Sequence, residues 1–268
     1  MTDRNDPPAA ESGRSPLKTV VDDGVLRVVI DRAEKRNALS RAVLAEIGAA
    51  FSRHAADRDL RFAVLSGAGD KSFAAGGDLK DLQAVRGAEA AADMARAAKA
   101  ALMAIRRFPV PVVAALNGAA LGGGAELAMA CDMRVAVRHA TIGFIQGRLA
   151  ISTAWGGGVD LVRLLGPARA LELLCRAEVL EAPRAEALGL VNLCGEEGED
   201  AEALVDRFTA PMVRQAPQVM RAFKALSRTA HNAARAAEDD LETEHFAGTW
   251  AHSDHDAAVE RLFARRQT

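Results

Sequence analysis

Residues 120–132 read ALGGGAELAMACD: three consecutive glycines, Gly122, Gly123 and Gly124, stand directly before a lone glutamate, Glu126, and a run of small apolar residues. The run after the glycines predicts a short buried helix. Glycine lets another atom approach the backbone closely. A helix N-terminus carries unpaired N–H groups and partial positive charge. The stretch therefore reads either as a tight connector or as a helix start that meets a ligand with a carboxylate beside it. A second stretch of the same kind, SFAAGGDLKDL, occupies residues 72–82. Two such turns facing each other would aim two N–H groups at one oxygen, an oxyanion hole suited to a thioester enolate.

Working outward, residues 26–32 (LRVVIDR) predict a strand, and residues 40–57 a helix with Ser40 as its N-cap. Residues 61–69 predict a second strand, and residues 89–108 an alanine-rich helix stopped by Pro109 and Pro111. Strands follow at 111–118 and 133–139, with 141–144 extending the pattern. Strand, turn and helix recur at irregular spacing, which argues for an α/β fold built as a spiral of ββα units rather than a Rossmann sheet. From Pro167 onward the chain turns helical, at 168–175, 183–188, 201–210, 217–231 and 241–266, with a short strand at 190–194. The expected organisation is a flexible tail (1–16), an α/β core (17–210) and a helical C-terminal region (211–268).

The 268 residues are 50% hydrophobic and 26% charged, with a formal net charge of −2. No global basic field attracts nucleic acid or a membrane surface, so neither is an expected partner. Cys131, Cys175 and Cys194 form no CxxC pair and no disulfide framework. His245, His252 and His255, near Glu242 and Glu244, lack the HExxH spacing, so no metal is expected. The first 16 residues are polar and lack an apolar core, and no apolar stretch reaches membrane-spanning length, so the expected location is cytoplasmic.

FAAGGDLKDL and NGAALGGGAELAMACDMRVA resemble the two signature segments of the crotonase (enoyl-CoA hydratase/isomerase) superfamily. RAEKRNALS, at residues 32–40, resembles that family's early loop, with Ala33 where a proline is frequent. The resemblance runs from about Val20 to the C-terminus. It implies a crotonase-like spiral core and a helical region that assembles a homotrimer or a dimer of trimers. It also implies acyl-CoA substrates and an enolate held by the N–H groups of Gly77 and Gly123. No separate cofactor is implied, because coenzyme A enters as part of the substrate. Ala75, Asp78 and Leu79 fall in the matching substrate pocket, and Glu126 matches one of the two glutamates of the family's hydratases.

At the position of the second glutamate stands Gln146, and no Asp or Glu lies between Met133 and Val159. Glutamine can orient water but cannot take or give its proton. The expectation is a reaction that needs one carboxylate, Glu126. WGGG, at residues 155–158, resembles a loop of methylmalonyl-CoA and ethylmalonyl-CoA decarboxylase-like members, with Trp155 as an apolar wall. Decarboxylation and double-bond isomerisation both remain open. Arg148 is a candidate partner for a substrate carboxylate. A non-catalytic crotonase-fold binding protein is the alternative from another class; the retained Glu126 and near-zero net charge speak against it. Candidate contacts for coenzyme A are Lys35, Arg36, Ala38, Lys80, Phe263 and Arg266, with Arg265 and Lys224 as further candidates.

Overall fold

The computed structural model describes residues 15–232 and 235–264, without the side chains of 228–232. The expected tail therefore lies almost wholly outside the described residues, as do Arg265 and Arg266.

The chain opens with an antiparallel pair, β1 (Leu17–Asp22) and β2 (Val25–Ile30). α1 (Arg41–His54) follows, and Ser40 caps it as expected, its side chain accepting from the Val43 N–H. Then the strands come in twos: β3 (Phe62–Gly67) with β4 (Ser72–Ala74), β5 (Val112–Leu116) with β6 (Ala119–Leu121), and β7 (Met133–Ala136) with β8 (Thr141–Gly143). The first of each two joins one sheet and the second joins another. The six-stranded sheet runs β1-β2-β3-β5-β7-β10, with β10 at Leu193–Cys194. The four-stranded sheet runs β4-β6-β8-β9, with β9 at Val179–Glu181. β3, β5 and β7 pair in parallel, as do β4, β6 and β8. This is the expected ββα spiral.

Each two strands lead into helix: α2 (Leu79–Leu82) and the long α3 (Gly87–Arg106) after β4, then α4 (Gly123–Ala130) after β6. α5 (Gly157–Leu165), α6 (Pro167–Arg176), α7 (Ala182–Ala187) and α8 (Ala201–Thr209) complete the core. α4 is apolar all round apart from Glu126 and is buried from Gly124 to Ala130, so it threads the centre of the molecule.

The helical region comprises α9 (Pro217–Asn232), α10 (Arg235–Trp250) and α11 (Ser253–Ala264). The single helix expected over 241–266 is thus broken between Trp250 and Ser253. The rings of Trp250 and His255 pack 4.4 Å apart across that corner. α10 lies along α3, and α11 packs on a 3-10 turn, Gln146–Leu149. No described helix is long and apolar enough to cross a membrane.

Candidate active site

Parallel pairing of β4 with β6 places the two glycine turns side by side, with Ala74 in register with Ala120. A Cβ on Gly76 would sit 3.7 Å from the Gly123 nitrogen. Gly77 and Gly123 are half-buried, and no described acceptor takes either N–H. The turns expected to face each other are therefore adjacent, with two donors free.

The early loop is stitched onto the first turn. Ala75 N–H donates to Arg36 O (3.1 Å), Leu39 N–H to Gly76 O (2.9 Å) and Asp78 N–H to Leu39 O (3.0 Å). Asp78 also accepts from Arg32 at 3.2 Å and caps α2 through the Lys80 N–H. Lys35, Arg36, Ala38, Ala75, Gly77, Asp78, Leu79 and Lys80 thus come together, with Lys35, Arg36 and Lys80 exposed. What holds the loop there was not expected from sequence: buried Asn37, whose amide donates to Ser72 O (2.7 Å) and Ala68 O (3.0 Å). Phe263 lies half-buried on α11, the helix packed on the Gln146–Leu149 turn.

Trp155 lies across both turns and is 5% exposed. A Cβ on Gly123 would fall 2.3 Å from the indole Cζ3, so only glycine lets the ring rest there. Trp155 and Leu82 also wall a small, mostly apolar cleft of about 60 Å³ between α1 and α3, with Leu39, Leu44, Met94 and Ala98.

Glu126, 2% exposed, receives a hydrogen bond from each of several donors. Gln146 Nε2 donates to Oε1 at 2.9 Å, while the Trp155 and Gly157 amides donate to Oε2 at 2.7 and 3.0 Å. The Ala154 amide bridges both oxygens at 3.3 Å. Burial, and next the Glu242 charge, push the Glu126 carboxyl up from 4.5 to about 7, against the pull of those amides.

Sequence reading did not single out Glu242 as part of the site. This second buried carboxylate comes from α10 and grips the loop of residues 153–158 that also binds Glu126. It accepts from the Gly156 amide (2.7 Å), the Gly158 amide (3.2 Å) and Thr153 Oγ1 (2.7 Å), and pairs with Lys99 at 3.1 Å. One signal could have found it. Phe246 and Trp250 are buried at helical spacing, and Glu242 continues that stripe.

Three further residues from the sequence reading have partners within the chain. Lys224 is 3% exposed and bonded to Asp132, so it is no free cation for coenzyme A. Arg148 donates to Ala177 O at 2.7 Å. His255 is engaged by Leu149 O at 2.7 Å as well as by Trp250.

Residues 21–268 match the family model "Enoyl-CoA hydratase/isomerase". A methylglutaconyl-CoA hydratase of Rattus norvegicus is 33% identical over 75% of this chain and 64% of its own. A crotonyl-CoA hydratase of Syntrophomonas wolfei is 39% identical over 61% of this chain and 62% of its own. The matched stretch thus spans somewhat under two thirds of either relative. Among solved structures, an enoyl-CoA hydratase/carnithine racemase from Magnetospirillum magneticum superposes with a TM-score of 0.75 at 30% identity, covering 84% of this chain and 86% of that one. An enoyl-CoA hydratase/isomerase from Xanthobacter autotrophicus Py2 gives 0.81 at 29% identity, covering 91% of each.

Proposed function

Because this chain belongs to the enoyl-CoA hydratase/isomerase family, we propose that it acts on acyl-CoA thioesters by forming an enolate and moving one proton through Glu126. The thioester oxygen sits between the N–H groups of Gly77 and Gly123. Each donor is worth roughly 3 kcal/mol to the developing oxyanion in a dry site. Glu126 takes a proton from the carbon next to the thioester carbonyl and returns it to the far end of the conjugated enolate. The double bond migrates and the glutamate ends as it began. The exposed Lys35, Arg36 and Lys80 form a basic rim beside the turn for the phosphates of coenzyme A, and Trp155 walls the acyl group.

The observation that carries this reading is the difference between the two buried carboxylates. Glu242 is held by Lys99, whereas Glu126 is raised to about 7 and so both gains and loses a proton near neutrality. Gln146 donates an N–H to Glu126 and has no proton to exchange.

Slow hydration is the second reading. Gln146 Oε1 is buried without a partner and could accept from a water, and the two relatives named above are hydratases. Loss of carbon dioxide from a malonyl-type thioester would use the same enolate cradle. Assembly as a homotrimer or dimer of trimers belongs to the proposal; exposed Phe223, Leu226 and Leu241 in the helical region supply apolar surface for it.

The test is turnover of a panel of acyl-CoA thioesters by the wild type and by Glu126→Gln. The variant should bind the thioesters and turn none over. A fully active Glu126→Gln variant would remove the glutamate from the mechanism.

A further inference from the structure

We propose that Glu242, on α10 of the helical C-terminal region, is a positioning residue for Glu126: both carboxylates grip the one loop of residues 153–158, so α10 fixes the site's acid and biases its charge. The proposal rests on reading Glu126 as the proton carrier.

The loop serves as a shared comb of donors. The amides of Ala154, Trp155 and Gly157 point to Glu126, while those of Gly156 and Gly158 point to Glu242. The interleaving needs a backbone turn between them, and Gly156 supplies it with φ +86°. A Cβ on Gly157 would fall 2.5 Å from Glu126 Cγ, so the loop lies directly on the acid. Between the two sets of bonds stands Trp155, whose ring covers Gly77 and Gly123. Loosening Glu242 would therefore free the wall of the cradle together with the acid.

The charges facing this pair come from every packed element. Lys99 on α3 meets Glu242 at 3.1 Å and donates to Thr243 Oγ1 at 2.8 Å. Two turns earlier on α10, Arg235 pairs with Asp239 (3.0 Å) and with Asp160 of α5, which also takes Arg106 of α3 at 2.8 Å. Gln146 covers the other oxygen of Glu126. Arg235, Arg106, Asp160 and Asp239 thus hold one another, leaving Lys99 to face Glu242. The Glu242 charge raises the proton affinity of Glu126.

The experiment is a pH titration of the Glu126 carboxyl by carbon-13 NMR, in the full chain without substrate, for the wild type, Glu242→Gln and Lys99→Met. Glu242→Gln removes the neighbouring charge and should lower the Glu126 midpoint by on the order of 1 pH unit. Lys99→Met removes the counter-ion of Glu242 and should move the Glu126 midpoint to higher pH. The pH dependence of turnover should follow the same opposite displacements. A merely structural Glu242 would lower turnover at every pH and leave the midpoints in place, and that result overturns the proposal. If Glu242→Gln does not fold, Lys99→Met alone decides. Because the titration uses no thioester, displaced midpoints in a protein that turns over no acyl-CoA would sink the enzymatic reading while leaving the coupling standing.

Discussion

Gln146 Nε2 donates to Glu126 Oε1 at 2.9 Å, with both side chains buried. On the function proposed above, an amide occupies the place where a second proton-exchanging group would act. Gln146→Glu supplies that group. It should raise hydration of crotonyl-CoA by about 100-fold or more, the lower end of general acid–base contributions. Unchanged hydration, measured by loss of enoyl absorbance, would show that Gln146 does not limit that step.

The raised Glu126 carboxyl links stability to pH. Between its ordinary 4.5 and about 7, the folded state holds a proton that the unfolded state has released. The stabilisation is complete below 4.5 and disappears as pH rises through about 7, amounting to about 3 kcal/mol from this group. Urea unfolding of the wild type should therefore lose more stability between pH 5 and pH 8 than unfolding of Glu126→Gln. Parallel curves for the two proteins would contradict the buried, raised acid.

Gly123→Ala tests the cradle. Its methyl group would fall 2.3 Å from the Trp155 ring, so the ring must shift. Overpacking of this kind costs about 1–3 kcal/mol, and the protein should stay folded. Disturbing one oxyanion donor should lower kcat by about 100-fold or more. Wild-type turnover in a folded Gly123→Ala protein would take Gly123 out of the oxyanion site.

Lys224 should matter for folding and not for ligand. Lys224→Met leaves Asp132 without its cation in a largely buried place, a loss of about 3–5 kcal/mol. Calorimetry should find coenzyme A affinity unchanged at a temperature where the variant remains folded. A large loss of affinity would restore the role expected of it from sequence.

The fold was legible where periodicity is long or capping is chemical. Ser40 announces α1, and the alanine-rich run announces α3. The three-residue strands β4 and β6 are too short to show a period, although they set the two glycine turns together. β1 escaped because it is exposed from its second residue onward, as an edge strand can be. α5 escaped because it begins on two glycines, which read as loop. In the site, the glycine turns, Glu126, Gln146 and Trp155 were legible because they lie in contiguous motifs. Glu242 was not, since 116 positions separate it from Glu126 (242 − 126) and only tertiary packing joins them. Trp155 was legible as a wall, but its seat on Gly123 becomes visible only in three dimensions.

The most direct test of a single proton carrier is mass spectrometry of the products from a mixed panel: crotonyl-CoA, a 3-enoyl-CoA, methylmalonyl-CoA and ethylmalonyl-CoA, each incubated with the wild type in deuterated water. The predicted result is migration of the 3-enoyl double bond with deuterium entering the acyl chain, and little addition of water to crotonyl-CoA. Efficient addition of water to crotonyl-CoA, with no migration, would contradict it and would mean that a second group beside Glu126 carries a proton.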